Sequence, residues 1–216
     1  MGLSAAQLKA SLDALAAAEP AFARGLARVG YPQPRIRERG YASLLRTIVG
    51  QQVSVAAAAS IWTRIERTAE AAGGTVADPA LFGSLPDDAL RAAGLSRQKI
   101  GYARSFAGLV DTGTLDLGAL PTDDEAAIAA LTAVKGIGRW SAEIYLLFAE
   151  GRPDIWPAGD LAVRIEVGRL LGLDDRPTER LTRALAESWR PHRSAAAIFS
   201  WHHYGNARPD KTALPV

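Results

Sequence analysis

The sequence predicts an all-α protein, a bundle of roughly ten helices. Three observations point there. Apolar residues recur at helical spacing along most of the chain, as in Leu44, Leu45, Ile48 and Val49. No run alternates apolar with polar residues or gathers β-branched ones, and no Asn-Gly or Asp-Gly hairpin turn is present. The connecting stretches are short and marked by Pro or Gly, as in "GYPQPRIRERG", "EAAGGTVADP", "VDTGTLDLGALP" and "EGRPDIWPAG".

The elements can be justified in order. "SAAQLKASLDALAAA" opens with Ser4 and Gln7, the pattern of a capping box, in which two side chains satisfy amides that lack a helical partner. "LLRTIVG" supplies the buried stripe already named. "ADPALFGSL" offers Asp78 as a cap and Pro79 at the first helical position. "TDDEAAIAALTAV" places Thr122 and Glu125 in a second capping-box pattern. Ile144, Tyr145, Leu147 and Phe148 keep helical spacing, and so, roughly, do Leu161, Ile165 and Leu170 in "LAVRIEVGRLLG".

Composition narrows the chemistry. With 216 residues, 48% of them apolar and 22% charged, the chain can bury a core as one domain or as two small lobes. The absence of cysteine excludes disulfides, thiolate zinc sites and a cysteine-held iron–sulfur cluster. Three histidines, two of them adjacent at His202 and His203, make a poor metal cage. No stretch reaches the roughly 18 apolar residues of a membrane span, and the amino terminus lacks the pattern of a secretory signal. The expectation is a cytoplasmic protein. A formal charge of +2 permits nucleic acid as a partner without requiring it.

The chemistry concentrates in "VKGIGRWSAEIYLLFAEGRPDIWPAGDLAV". One helix is expected to end near Val134 and the next to begin near Arg139, with Gly136-Ile137-Gly138 between them. Glycines allow a sharp turn, positive φ and close approach of another surface. Free amides at the start of the second helix can cradle a phosphate, and Lys135 and Arg139 add positive charge. A helix that ends on a glycine cap and restarts explains the same letters. Asp160, just before an apolar helix, has two compatible readings. It can cap that helix, and it can hold a negative charge that the helix N-terminus favours.

Together these residues resemble a known family. "LTAVKGIGRWSAEIYLLFA" is similar to the helix–hairpin–helix of DNA-repair proteins. Followed by Pro-Ala-Gly-Asp, it looks like the hairpin, Gly/Pro loop and aspartate of base-excision DNA glycosylases. "LLRTIVGQQVSVAAAASIW" and "WRPHRSAAAIFSWHHYGN" resemble blocks of the DNA-3-methyladenine glycosylase II family. The three blocks occur in the family's order and span most of Tyr41 to Asn206.

The resemblance implies residues 1–216 forming a two-lobed helical protein, its lobes intertwined in sequence, with the hairpin at 123–149 and no amino-terminal β domain. It implies flipping and hydrolytic removal of an alkylated base of the 3-methyladenine type from double-stranded DNA, leaving an abasic site. Asp160 would compensate the sugar cation. Trp140, Ile144 and Trp201 would line the base pocket. Trp140 stands where strand-cutting relatives carry a Schiff-base lysine, which implies no lyase activity. Gln51, Gln52, Lys135, Gly136, Ile137, Gly138, Arg139 and Trp140 would meet DNA, Gln52 filling the vacated gap. Arg97, Lys99, Arg190 and Arg193 are weaker phosphate candidates. No organic cofactor is implied. A monovalent cation on the carbonyls of Thr132, Val134 and Gly136 would accompany bound DNA. A monomer working at the nucleoid of a bacterial-type cytoplasm is the remaining expectation. Two alternatives stay open: a glycosylase for deaminated or oxidised bases, and a non-catalytic helix–hairpin–helix protein.

Overall fold

A computed structural model describes residues 2–206. In chain order its helices are α1 (Ala5–Ala18), α2 (Pro20–Val29), α3 (Tyr41–Gly50), α4 (Val55–Ala71), α5 (Pro79–Ser84), α6 (Asp87–Ala92), α7 (Arg97–Asp111), α8 (Asp124–Thr132), α9 (Arg139–Tyr145), α10 (Leu161–Leu171), α11 (Glu179–Leu185) and α12 (Arg193–Asn206). A π-helical turn, Leu146–Glu150, follows α9, and a 3-10 turn, Ala186–Trp189, follows α11. The described residues contain no strand. The chain forms two compact units: Arg37–Tyr145, and the two flanking parts up to Ile36 and from Leu146 onward.

The flanking unit packs α10 on α12, with α1 and α2 against the same helix. Leu8, Leu12 and Leu15 bury the inner face of α1, and Ser4 and Gln7 form the expected capping box. Phe22 meets Trp189 edge-on at 5.1 Å and Phe199 at 5.7 Å between ring centroids. A Cβ on Gly25 would lie 2.9 Å from the Phe199 ring, so glycine sets the close approach of α2 to α12. The buried face of α10 is Val163, Glu166 and Val167, whereas Leu161 is 54% exposed. The stripe through Leu161 and Ile165 is thus displaced, because α12 receives the face bearing Glu166. That carboxylate is fully buried and accepts from His203 Nδ1 at 2.5 Å.

In the unit Arg37–Tyr145, α3 is central. Leu44, Leu45, Ile48 and Val49 are fully buried against α4, α7 and α9. Tyr41 stacks on Phe106 at 4.9 Å. Asp78 caps α5 with Pro79 in the first turn, as its sequence predicts. The cap of α8 is Asp123, whose Oδ1 accepts from Ala126 N at 2.8 Å, so the helix starts one residue later than a cap at Thr122 would place it. A carboxylate is at least as good an acceptor there as a threonine hydroxyl.

Candidate active site and DNA interface

The Gly/Pro loop leads the chain from the interior to a partly exposed carboxylate. Ile155, Trp156, Pro157 and Ala158 are buried. Trp156 Nε1 donates to Thr182 O at 3.1 Å, which pins the loop to α11. Asp160 N then closes a turn on Pro157 O at 2.9 Å. The carboxylate emerges as the cap of α10: Oδ1 accepts from Val163 N at 3.0 Å and from Trp201 Nε1 at 3.1 Å. Two N–H groups from different elements therefore fix its direction at the positive end of the α10 dipole.

Trp201, half-buried on α12, is held on its other side by Phe148 of the π turn, with ring centroids 5.6 Å apart and 30° between planes. Its edge forms part of a cavity of about 150 Å³ lined also by Pro32, Gln33, Arg35, Ile198 and His202. An anion, an indole bound to it and a second aromatic ring are thus assembled within the flanking unit. In the sequence the helical spacing of Phe148 reads simply as core, with no site signal.

The hairpin lies in the other unit. Its turn is built around Gly136, at φ 91°, with a Cβ position only 2.5 Å from the Tyr102 ring. No L side chain fits that place. Gly138 has ordinary φ and open space where a Cβ would be. Close packing therefore explains the first glycine, and the second lines an open surface. Ile137 is 4% exposed, and its side chain anchors the turn in the core. Lys135 and Gly138 are exposed. Trp140 is 48% exposed on α9, and Ile144, one turn further, is 5% exposed.

Arg139, which the sequence offers as positive charge beside the turn, is ion-paired. Its guanidinium donates to Glu125 at 2.5 Å and to Glu143 at 2.9 Å, and these carboxylates raise its pKa, the hydrogen bond to Glu125 contributing most. Other cations are likewise committed. Arg193 is buried between Asp154 and Glu187, and Arg190 binds the same two acids. Lys99 Nζ donates to Val49 O at 2.8 Å, and burial lowers its pKa. These groups brace helix ends and loops. Arg97 stays exposed.

The two adjacent glutamines take different parts. Gln51 Nε2 donates to Gly136 O at 2.5 Å, so it ties the loop after α3 to the hairpin. Gln52 is exposed and is the non-glycine residue found at positive φ, 55°, among the described residues. A strained, exposed polar residue at a loop tip is a feature that accompanies function more often than stability.

The hairpin carbonyls bear on the cation. Val134 O accepts from Ile137 N at 3.0 Å, and Gly136 O accepts from Gln51. A carbonyl oxygen carries two lone pairs, and Thr132, Val134 and Gly136 follow the negative end of the α8 dipole. Uncharged oxygens of this kind suit a hard cation of low charge. Among the described residues no group of three or more His, Cys, Asp or Glu side chains could hold a metal ion.

The four remaining tryptophans separate by exposure. Trp62 is core, with Nε1 on Glu66, and Trp156 and Trp189 meet edge-on at 5.3 Å. Only Trp140 stays substantially open.

Comparison with known proteins agrees with this geometry. The family model described as HhH-GPD superfamily base excision DNA repair protein matches residues 45–191. DNA-3-methyladenine glycosylase 1 of Schizosaccharomyces pombe is 31% identical over 172 residues, 76% of this chain and 72% of that protein. A crystal structure of a DNA-3-methyladenine glycosidase from Bacillus halodurans is similar at a TM-score of 0.84 and 30% identity, over 91% of this chain and 90% of that one. The Schizosaccharomyces pombe 3-methyladenine DNA glycosylase in complex with abasic DNA gives 0.74 and 29% identity, over 88% and 94% of the two chains. The chain belongs to the HhH-GPD superfamily of base excision DNA repair proteins and, within it, to the DNA glycosylase family of the 3-methyladenine II type.

Proposed function

We propose that the protein is a monofunctional glycosylase that flips an alkylated base out of duplex DNA and hydrolyses its glycosidic bond. The observation that carries this reading is the Asp160 carboxylate, held by Val163 N–H and by the indole of Trp201. Relatives named for 3-methyladenine support the substrate class.

The chemistry follows from charge. Alkylation at a ring nitrogen makes the base a cation, so it departs neutral with the bonding electron pair. The sugar is left oxocarbenium-like, as in glycoside hydrolysis. Water adds to the anomeric carbon and loses its proton, giving an abasic site. Asp160 compensates the sugar cation and orients the water. The indole of Trp201, beside Asp160, receives the cationic base, an indole face contributing about 0.5–2 kcal/mol.

Trp140 carries no amine at the position where strand-cutting relatives have lysine, so no imine with the sugar forms there. The hairpin amides from Gly136 to Trp140 hold the backbone with Lys135, and Gln52 occupies the gap left by the base. A monovalent cation on the carbonyls of Thr132, Val134 and Gly136 would add positive charge beside a phosphate. The protein acts as a monomer.

Chromatography of bases released from methylated duplex DNA tests the proposal. Wild type releases 3-methyladenine. Asp160→Asn loses about 10²–10³ in rate, the usual cost of removing one preorganised electrostatic group, while still binding abasic-site DNA. Release of hypoxanthine or 8-oxoguanine with none of methylated bases, or full activity in Asp160→Asn, overturns the assignment. Strand cleavage without added base overturns the monofunctional reading.

A further inference from the structure

The flanking unit buries an acid that the glycosidic chemistry does not use. Glu166 lies in the second turn of α10, fully buried, and its Oε1 accepts from His203 Nδ1 of α12 at 2.5 Å. The His203 ring packs against Phe199, with 5.7 Å between centroids. The other oxygen, Oε2, is 3.5 Å from Arg169 Nη1, and Arg169 lies over the Tyr204 ring of α12, 5.7 Å from its centroid. Both oxygens thus face groups that fasten α10 to α12.

Stability alone does not call for this arrangement. A buried carboxylate gives up its hydration, and an apolar pair of similar volume is commonly as stable or more so. Oε2 of Glu166 moreover has no hydrogen bond among the described residues. What a hydrogen bond adds and apolar contact lacks is direction, since donor and acceptor tolerate little sliding. The neighbourhood shows what needs that direction. Trp201, His202 and His203 are consecutive on α12, and each ring nitrogen meets a different place. Trp201 Nε1 reaches Asp160 Oδ1 at 3.1 Å, His202 Nε2 reaches Val29 O at 3.0 Å, and His203 Nδ1 reaches Glu166. Helix α12 therefore grips α10 twice, at its cap and in its second turn. One hydrogen bond lets two helices pivot about it, and a second removes the pivot.

We infer that Glu166 and His203 are positioning residues: their bond sets the register of α10 on α12 and so aims the Trp201 N–H at the Asp160 carboxylate. Both act through Trp201 and Asp160 and not on the substrate. Their effect on rate passes through one charge-assisted hydrogen bond and is bounded by its value, about tenfold. The inference rests on the reading of Asp160 as the group that compensates the sugar cation.

The test replaces both partners at once. Glu166→Leu with His203→Leu removes the bond without stranding either group, so the urea midpoint stays at or above that of wild type. Single-turnover excision from methylated duplex nevertheless falls about threefold to tenfold, while affinity for abasic-site DNA holds. In a Trp201→Phe background the same pair of changes costs no further rate. His203→Asn, whose amide N–H stands near the place of Nδ1, retains most of the wild-type rate. A second readout needs no substrate. The chain has five tryptophans, and the Trp201 indole N–H is the signal lost from the ¹H–¹⁵N spectrum in Trp201→Phe. In the apolar pair it exchanges with solvent about threefold to tenfold faster. Glu166→Met with His203→Phe, which keeps a ring against Phe199, serves if the leucine pair does not fold. A wild-type rate or wild-type indole exchange in a folded apolar pair overturns the inference, and so does an equal loss in the Trp201→Phe background. If wild type releases no base, the glycosylase reading falls, and the indole exchange still decides whether the pair aims Trp201.

Discussion

Trp201→Phe separates the indole as a ring from the indole as a donor. Phenylalanine keeps an aromatic face against Phe148, now 5.6 Å away, but removes the N–H that reaches Asp160 Oδ1 at 3.1 Å. A hydrogen bond to a charged acceptor contributes about 1.5–3 kcal/mol. Asp160 is partly exposed and keeps the Val163 N–H at 3.0 Å, so the lower end applies. A loss of about 1.5 kcal/mol in the transition state is roughly a tenfold fall in rate. The assay is single-turnover excision from methylated duplex with enzyme in excess, which reports the chemical step. In an Asp160→Asn background the same change costs little more, because the group being aimed has already lost its charge. An unaltered rate in Trp201→Phe refutes the reasoning, and so does a full tenfold further loss in the double variant, since coupled groups must be non-additive.

Three other outcomes follow from the packing. Gly136→Ala drives a methyl group into the Tyr102 ring at a φ of 91° and lowers the unfolding midpoint, whereas Gly138→Ala, with open space around it, unfolds like wild type and weakens DNA binding; chemical denaturation and anisotropy distinguish the two. Gln52→Gly relieves a left-handed residue that costs about 1 kcal/mol, so stability holds or rises while excision falls, as read by the same single-turnover assay. His203→Ala removes the ring nitrogen that meets the fully buried Glu166 at 2.5 Å, leaves Arg169 at 3.5 Å from the same carboxylate, and costs about 1–3 kcal/mol, measured by urea unfolding.

Local signals made much of this legible in the sequence. An acid before an apolar run marks a cap, and Asp78 and Asp160 both serve as caps. Paired glycines mark a turn, and the apolar stripe of α3 follows directly from its spacing. Long-range contacts left no such trace. Nothing near Glu166 announces that it is buried, because its partner His203 is 37 residues away. Arg139, Arg190, Arg193 and Lys99 read as solvated or phosphate-binding charges until Glu125, Asp154 and the carbonyl of Val49 are brought in from distant parts of the chain. Phe148 has a helical period that cannot say which aromatic it will face, and the π turn that carries it follows no evident motif.

The adjacent glutamines show why a local rule stops short. Gln51 and Gln52 have the same side chain, yet Gln51 donates to Gly136 O while Gln52 is exposed at φ 55°. A strained residue persists only where its surroundings over-determine it, and here they do. Lys99 holds the last turn of α3 through Val49 O, and Gln51 holds the next residues through the hairpin. The tip carrying Gln52 is therefore fastened on both its helix side and its hairpin side within one unit. For the proposed plug, a backbone so placed does not have to be ordered when DNA arrives, and the cost of fixing one residue's backbone, about 1–2 kcal/mol, is met in folding instead of in binding.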